Sequence, residues 1–325
     1  MRRREFISAI GGGLVSWSAA AYAQQVAARP HRIGILAQDL QPGLLETFRD
    51  ELHKLGYVEG TNATIALRNA AGENERLPAL ADELLGLKVE VIVGVNTPAV
   101  QAAKKATRTV PIVMMRVADP VKSGLVASLR RPGGNVTGLS FMPDALGPKG
   151  VELLHEVLPS VKRMAALYQG NNSGAVVIVD EVVRKGEQLG LNFVRVPVYD
   201  PREYSHAFEV AITAKSEALF VMEDGAITGH RKEILEFATR RALPVVSIYK
   251  DFARSGGLIA YGPNLDIVYR RAAHFVDKLI KGGHASDLPV EQPVIFDVVV
   301  NQRTAKAFGI IIPQSVLIRA DEVIE

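Results

Sequence analysis

Asn96 and Thr97 stand where an apolar run, Val91–Val95, gives way to Pro98, and Arg116 and Asp119 repeat the arrangement one unit later, ahead of Pro120. A capping side chain followed by proline marks the start of a helix. Helix starts expose unpaired N–H groups that attract anions, so amide and hydroxyl donors at Asn96 and Thr97 suit a carboxylate. A guanidinium at Arg116 can clamp the same group in bidentate fashion. The second half of the chain offers a matching set. Asn171, Asn172 and Ser173 follow the strand-like RMAALYQ, and Glu223 and Asp224 follow EALFVM. A carboxylate at that rim can pair with a ligand ammonium if both are desolvated on closure. Gln38 and Asp39 close the first apolar run, and Tyr168, Tyr249 and Tyr261 each lie at or just after a strand end. These tyrosines can stack on a planar ligand or plug an interface between lobes, and the polar residues can serve as plain caps; both uses stay open.

Covalent and metal chemistry find little support. The seven histidines are scattered, with no H-x-x-H or H-E-x-x-H pair. No G-x-G-x-x-G joins a strand to a helix, and neither a Walker lysine nor a G-x-S-x-G elbow is present. The chain has no cysteine, which removes disulfides, thiol nucleophiles, zinc–thiolate sites and a lipoprotein-type anchor. The expectation is a binding protein, not an enzyme, with no cofactor and no metal.

The elements that must position these residues alternate between strand and helix. RIGILAQ reads as a first strand, and Leu44, Leu45, Phe48, Leu52 and Leu55 mark one helix face ended by Gly56. ATIALRNA, a helix over 75–87, VIVGV, a helix from Asn96, PIVMMR, a helix from Asp119 and a strand ending near Ser140 make five β–α steps. FMPDALGPK (141–149) reads as a crossing between lobes, followed by a helix over 150–157. A second series begins at RMAALYQ. AVVIVDEVV has β-like composition, but a crossover helix is required there before the strand NFVRVPV. A long amphipathic helix follows LIAYGPN and ends at Gly282-Gly283. The fold class is therefore α/β: two Rossmann-like lobes with parallel sheets joined by a multi-crossover hinge. One lobe is expected over 30–140 plus about 264–283, the other over 141–263 plus about 284–325. Ligands of open α/β sheets sit beyond the carboxyl ends of the strands, which gathers the polar residues above along one crevice.

With 325 residues, 48% hydrophobic and 22% charged, the composition is that of a globular chain of two ordinary domains. Residues 1–23 combine Arg2, Arg3 and Arg4 with a short Gly-rich apolar stretch and an A-x-A ending at Ala23. They read as an export signal cleaved after Ala23, with Arg3-Arg4-Glu5-Phe6-Ile7 fitting a twin-arginine pattern. The destination is the periplasm, and the one tryptophan, Trp17, leaves with the signal. Cleavage leaves 35 basic against 34 acidic residues, without the basic excess of a nucleic-acid binder.

Five strings carry a family resemblance: LGYVEG (55–60), RLPALADELL (76–85), ADPVKSGLVASLRRPGGNVTGLS (118–140), DLPVEQP (287–293) and LIRADEVIE (317–325). In order and over nearly the whole chain, they resemble substrate-binding proteins of bacterial ABC transporters in the tryptophan/tyrosine-type family. The resemblance implies the type I periplasmic binding protein fold with three crossovers, and a monomer that hands a small-molecule ligand to a membrane permease. It implies an amino acid, with an aromatic one in view, or another small carboxylate. GNNSG (170–174) departs from the Asn-Pro type turn of relatives, and Glu223-Asp224 is more acidic than their turn there. A solute receptor feeding a sensor system, or an enzyme on a similar frame, is the alternative. A repressor is disfavoured, because the signal occupies the place of a DNA-binding motif.

Overall fold

The computed structural model describes residues 29–325; the export signal read in residues 1–23 lies outside the described residues. The first sheet is built from β1 (His31–Ala37), β2 (Ala63–Asn69), β3 (Val91–Val95), β4 (Ile112–Ala118) and β5 (Val136–Phe141). Their order is β2-β1-β3-β4-β5, all parallel. β3 and β4 are buried along their whole length, as strands covered on both faces must be. One face is covered by α1 (Pro42–Lys54), and the other by α2 (Leu77–Gly86) and α3 (Thr97–Ala106).

The second sheet contains β6 (Arg163–Gln169), β7 (Asn192–Val198), β8 (Ala218–Met222), β9 (Val245–Ser247), β10 (Ile259–Pro263), β11 (Phe296–Asn301) and β12 (Glu322–Ile324). Its order is β12-β11-β10-β9-β8-β6-β7, parallel except where β11 meets β10. Around it lie α4 (Pro143–Val157), α5 (Ser173–Gln188), α6 (Tyr204–Thr213), α7 (Gly225–Gly229), α8 (Arg231–Arg240) and α9 (Lys250–Arg254). AVVIVDEVV is helical, inside α5, with Ile178, Val179, Val182 and Val183 on its buried face.

The chain passes between the sheets three times. After Phe141 it enters α4, which packs on α5 and β10. After β10 it returns through α10 (Leu265–Ile280), whose Val268, Ala272, Phe275 and Leu279 face the first lobe's apolar core against α1. The third passage, expected near 284, follows Glu291. Its N–H still donates to the Gly138 carbonyl at 2.9 Å, and its own carbonyl accepts from Ser140 N–H at 2.9 Å. Asn264 caps α10 and donates to both carboxylate oxygens of Asp297 at 3.1 Å, which ties the second passage to the third.

Two expectations are corrected. No helix follows Asp119; the chain makes a single turn, Ser123 N–H to Asp119 C=O at 3.0 Å, and Gly124 at φ 66 ends it. The helix expected over 150–157 begins earlier, at Pro143, so most of FMPDALGPK lies inside α4. Proline is favoured in the first turn of a helix, and the interior Pro148 forfeits only one backbone bond near the start.

Candidate functional site

Strand ends of both sheets open into the space between the lobes. At the end of β3, Asn96 holds φ 74 and makes no side-chain capping bond to α3. Its Nδ2 donates instead to Gln38 Oε1 at 3.1 Å. Gln38 Nε2 donates to Gln169 Oε1 of the other lobe at 2.5 Å and to Asn74 Oδ1 at 2.9 Å. Asn74 Nδ2 in turn reaches Asn171 Oδ1 at 3.2 Å.

At the end of β4 the pairing with β5 slips between Met114 and Val117, a bulge that re-aims the strand. Gly138 opposes it at φ 122, where any Cβ would overlap the Met114 backbone. Within the bulge Arg116 adopts φ 56, and Asp119 adopts φ 41 just beyond. Left-handed backbone at a non-glycine residue costs roughly 1–3 kcal/mol, and such strain clusters at binding sites. Arg116 Nε donates to Tyr249 OH at 3.2 Å across the lobes, and its guanidinium carbon lies 4.6 Å from the Tyr249 ring centroid. The Nη2 of Arg116 is buried without a partner.

From the second lobe, Asn172 caps α5, its Oδ1 accepting from Gly174 N–H at 3.0 Å and Ala175 N–H at 3.3 Å. Its Nδ2 donates to Asp224 Oδ2 at 2.9 Å, while Asp224 Oδ1 accepts from Ile227 N–H at 3.3 Å. Burial pushes the Asp224 carboxyl up to about 6, against these hydrogen bonds, which favour its charged form. Glu223 is also pushed upward by burial, with the Arg231 guanidinium opposing. Glu223 Oε1 takes Arg231 and, at 3.2 Å, Thr228 Oγ1; its Oε2 is buried without a partner.

Asn96, Thr97, Arg116, Asn172, Glu223, Asp224 and Tyr249 line one small cavity of about 10 Å³ between the lobes. That is room for about one water molecule. The N-termini of α3 and α5 meet beside it: Gln101 Nε2 reaches Ser173 Oγ at 3.4 Å, and Gly174 fits against Thr97 with no space for a Cβ. Two positive helix ends thus converge from opposite lobes. A second inter-lobe chamber, about 760 Å³, is lined by Asp39, Asn74, Gln169, Asn171, Tyr199, Tyr204, Gly225 and His230. Its size falls within the range of small-molecule pockets.

Seven of the residues expected from the sequence therefore share the small cavity. Asp39 and Asn171 line the chamber, Gln38 bridges the lobes, and Ser173 lies at the α5 rim. Three are placed elsewhere. Asp119 accepts from Lys122 N–H and pairs with Lys122 away from the cavity. Tyr168 packs in the apolar core, because alternation along β6 sends its neighbour Gln169 to the cleft instead. Tyr261 stacks on Phe296, centroids 5.6 Å apart. Sequence reading missed Gln169, Asn74 and the Tyr204–His230 stack, whose centroids are 4.4 Å apart. For Gln169 its place at the carboxyl end of β6 was an available signal, one it shares with Tyr168; Tyr204 and His230 follow unrelated strands, and nothing in their spacing joins them.

The family model described as ABC transporter substrate binding protein matches residues 35–324. A tyrosine-binding protein of Clostridioides difficile (strain R20291) is 27% identical over 261 residues, 80% of this chain and 74% of that protein. A domain from Streptococcus pneumonia crystallised in complex with L-Trp superposes with a TM-score of 0.85 at 27% identity, covering 91% of this chain and 100% of that one. A ligand-free, open substrate-binding protein with adhesive properties from Clostridium difficile gives 0.65, also at 27% identity, covering 90% and 99%. At equal identity the lobes here match the L-Trp complex better than the open structure, in keeping with the hydrogen bonds that join them. The architecture is that of type I periplasmic binding proteins.

Proposed function

The chain belongs to the family of ABC transporter substrate-binding proteins, and on that premise we propose that it is the exported solute-binding component of an ABC importer that closes over an amino acid. The observation that carries the reading is the meeting of polar side chains and two helix N-termini, from both lobes, around one small inter-lobe cavity. Such a site is complete only when the lobes are together, so a ligand that touches both favours the closed form by its differential affinity. The polar side chains that meet there are the candidates for holding the charged head as the lobes close. The neighbouring chamber, with Tyr199 and the stacked Tyr204–His230 pair, offers planar surface to an aromatic side chain. The names of the tyrosine-binding relative and of the L-Trp complex support the same class of ligand. Export through the signal at residues 1–23 delivers the protein to the periplasm, where a membrane permease recognises the closed form. No catalytic step is assigned.

The test is calorimetric titration of the mature protein with the standard L-amino acids and with small carboxylates that lack an amine, paired with small-angle scattering. Micromolar or tighter binding of an amino acid, with contraction of the particle, is expected. Failure of every amino acid to bind overturns the reading.

A further inference from the structure

Tyr249 and Lys250 follow one another just past β9, at the start of α9, and their side chains serve two different places. Tyr249 reaches the cleft, where its hydroxyl accepts from Arg116 Nε of the first lobe. Lys250 reaches the hinge. Its Nζ lies 2.9 Å from Asp266 Oδ2 and 3.7 Å from Asp297 Oδ2. The two carboxylates belong to different bodies. Asp266 stands in the first turn of α10, which packs on the first lobe, and its Oδ1 accepts from Thr47 Oγ1 of α1 at 3.3 Å. Asp297 stands on β11, which pairs with β10 and through it with β9, the strand that leads to Lys250. The pair with Asp266 therefore crosses between lobes, and the pair with Asp297 stays within one. Burial pushes the Asp266 carboxyl up, but Lys250, Thr47 and Arg270 outweigh it and hold the group below the ordinary carboxylate range. One turn further along α10, Tyr269 is buried beside Arg116, whose guanidinium opposes the upward push of burial on its hydroxyl. The hinge helix thus meets the end of β9 at two successive turns.

An ion pair present in only one of two arrangements biases the equilibrium between them, whereas one present in both does not. Rotation about the passages carries Asp266 away with α10 and leaves Lys250 beside Asp297. We propose that Lys250 is a hinge switch: in the closed form it is shared between Asp266 and Asp297, and on opening it passes to Asp297 alone. This rests on the reading above that the lobes close over a ligand, and it concerns the hinge, not the pocket. Closure sets the Asp266 and Asp297 carboxylates around one ammonium, so Lys250 joins the lobes and also screens the repulsion between those two charges. Asp297 acts in the opposite sense, because it competes with Asp266 for the same lysine. Lys250 lines neither the small cavity nor the chamber. It is a positioning residue, and its adjacency to Tyr249 makes the cleft contact and the hinge pair form in one movement.

A chain without cysteine takes a spin-label pair at chosen sites. Asp82→Cys on α2 and Glu209→Cys on α6 are both exposed and report the separation of the lobes by pulsed electron resonance. Distances are measured in the ligand-free mature protein, and affinities for L-tyrosine and L-tryptophan by calorimetry. The background is varied: wild type, Lys250→Met, Asp266→Asn, Asp297→Asn, and Lys250→Met with Asp266→Asn. Lys250→Met is expected to shift the labels to longer distances and to weaken binding roughly fivefold or more. Asp266→Asn does so less, since it removes the repulsion along with the attraction. Asp297→Asn shifts the labels the other way and tightens binding. Adding Asp266→Asn to Lys250→Met recovers part of the loss. Opposite signs and recovery report a shared charge, which general damage to the fold does not produce. High salt narrows the gap between wild type and Lys250→Met, because partly exposed pairs are screened. Distances and affinities that are the same in wild type and Lys250→Met overturn the proposal, and so does an Asp297→Asn variant that opens as Lys250→Met does. If no amino acid of the panel above binds, the amino-acid reading falls, while the label distances in the ligand-free protein still decide the hinge.

Discussion

Gly225 at the start of α7 lies so close to Asp39 of the opposite lobe that a Cβ on it would stand 2.7 Å from the Asp39 Cβ and 3.0 Å from the Asp39 backbone nitrogen. Glycine is needed here for approach between lobes, and not for the folding of either one. Gly225→Ala is therefore expected to leave thermal unfolding within about 1 kcal/mol of wild type. It should weaken ligand binding by roughly 5- to 150-fold, the range of a 1–3 kcal/mol overpacking penalty charged to closure alone. Titration calorimetry with small-angle scattering checks this; unchanged affinity would show that the ligand-bound lobes do not come this close.

Asp224 makes binding sensitive to pH. Burial lifts its carboxyl to about 6, from an ordinary value near 3.8, so between those values the closed form holds a proton that the unfolded chain has lost. Its contribution to stability is full below the lower value and is lost as pH rises through 6. An ammonium lodged beside Asp224 and Glu223 favours the ionised carboxylate. Affinity for an amino acid should then fall as pH drops below about 6, approaching tenfold per unit, with proton release on binding. Titrations in buffers of different ionisation enthalpy measure that release, and Asp224→Asn should abolish most of it.

Asn172 serves both stability and site geometry. It satisfies two N–H groups of α5 through Oδ1 and orients Asp224 through Nδ2. Replacement by alanine removes the cap and strips one hydrogen bond from a buried carboxylate, for an expected loss of about 1–3 kcal/mol. Urea denaturation should show a lower midpoint with an unchanged slope. A neutral result would mean that water replaces the amide at both sites.

Tyr261 separates fold from site. It stacks on Phe296, and no hydrogen bond to its hydroxyl is formed within the described residues. Tyr261→Phe should change stability by under about 0.5 kcal/mol and leave ligand affinity within experimental error. A marked loss of affinity would restore Tyr261 to the cleft.

Much of the architecture was legible before any coordinate. Short β-branched runs such as VIVGV and amphipathic stretches such as Leu265–Ile280 are local signals, because burial on one or both faces writes its period into neighbouring residues. The helix over AVVIVDEVV followed from topology against composition. Where local rules misled, the tertiary context decided: Asp119-Pro120 has the letters of a helix start, yet Ser123-Gly124 and the route back to β5 allow only one turn.

The sequence by itself determined the alternating α/β pattern, the family strings and the strand-end positions of most polar candidates, since strand ends are set by hydrophobic runs a few residues long. Only the tertiary structure decided which of those candidates meet. Asn96, Arg116, Asn172, Glu223 and Asp224 are separated by long stretches of chain, and their convergence depends on three passages between lobes and on closure. Tyr168 and Gln169 are adjacent in sequence and identical in local signal, yet the pleat of β6 sends one to the core and the other across the cleft to Gln38. The left-handed turn of Arg116 likewise has no local code: it arises because β4 slips register against β5 at a glycine 22 residues further along, Gly138. Contacts between distant residues carry no period and no spacing along the chain, so the identity of the site had to come from the fold.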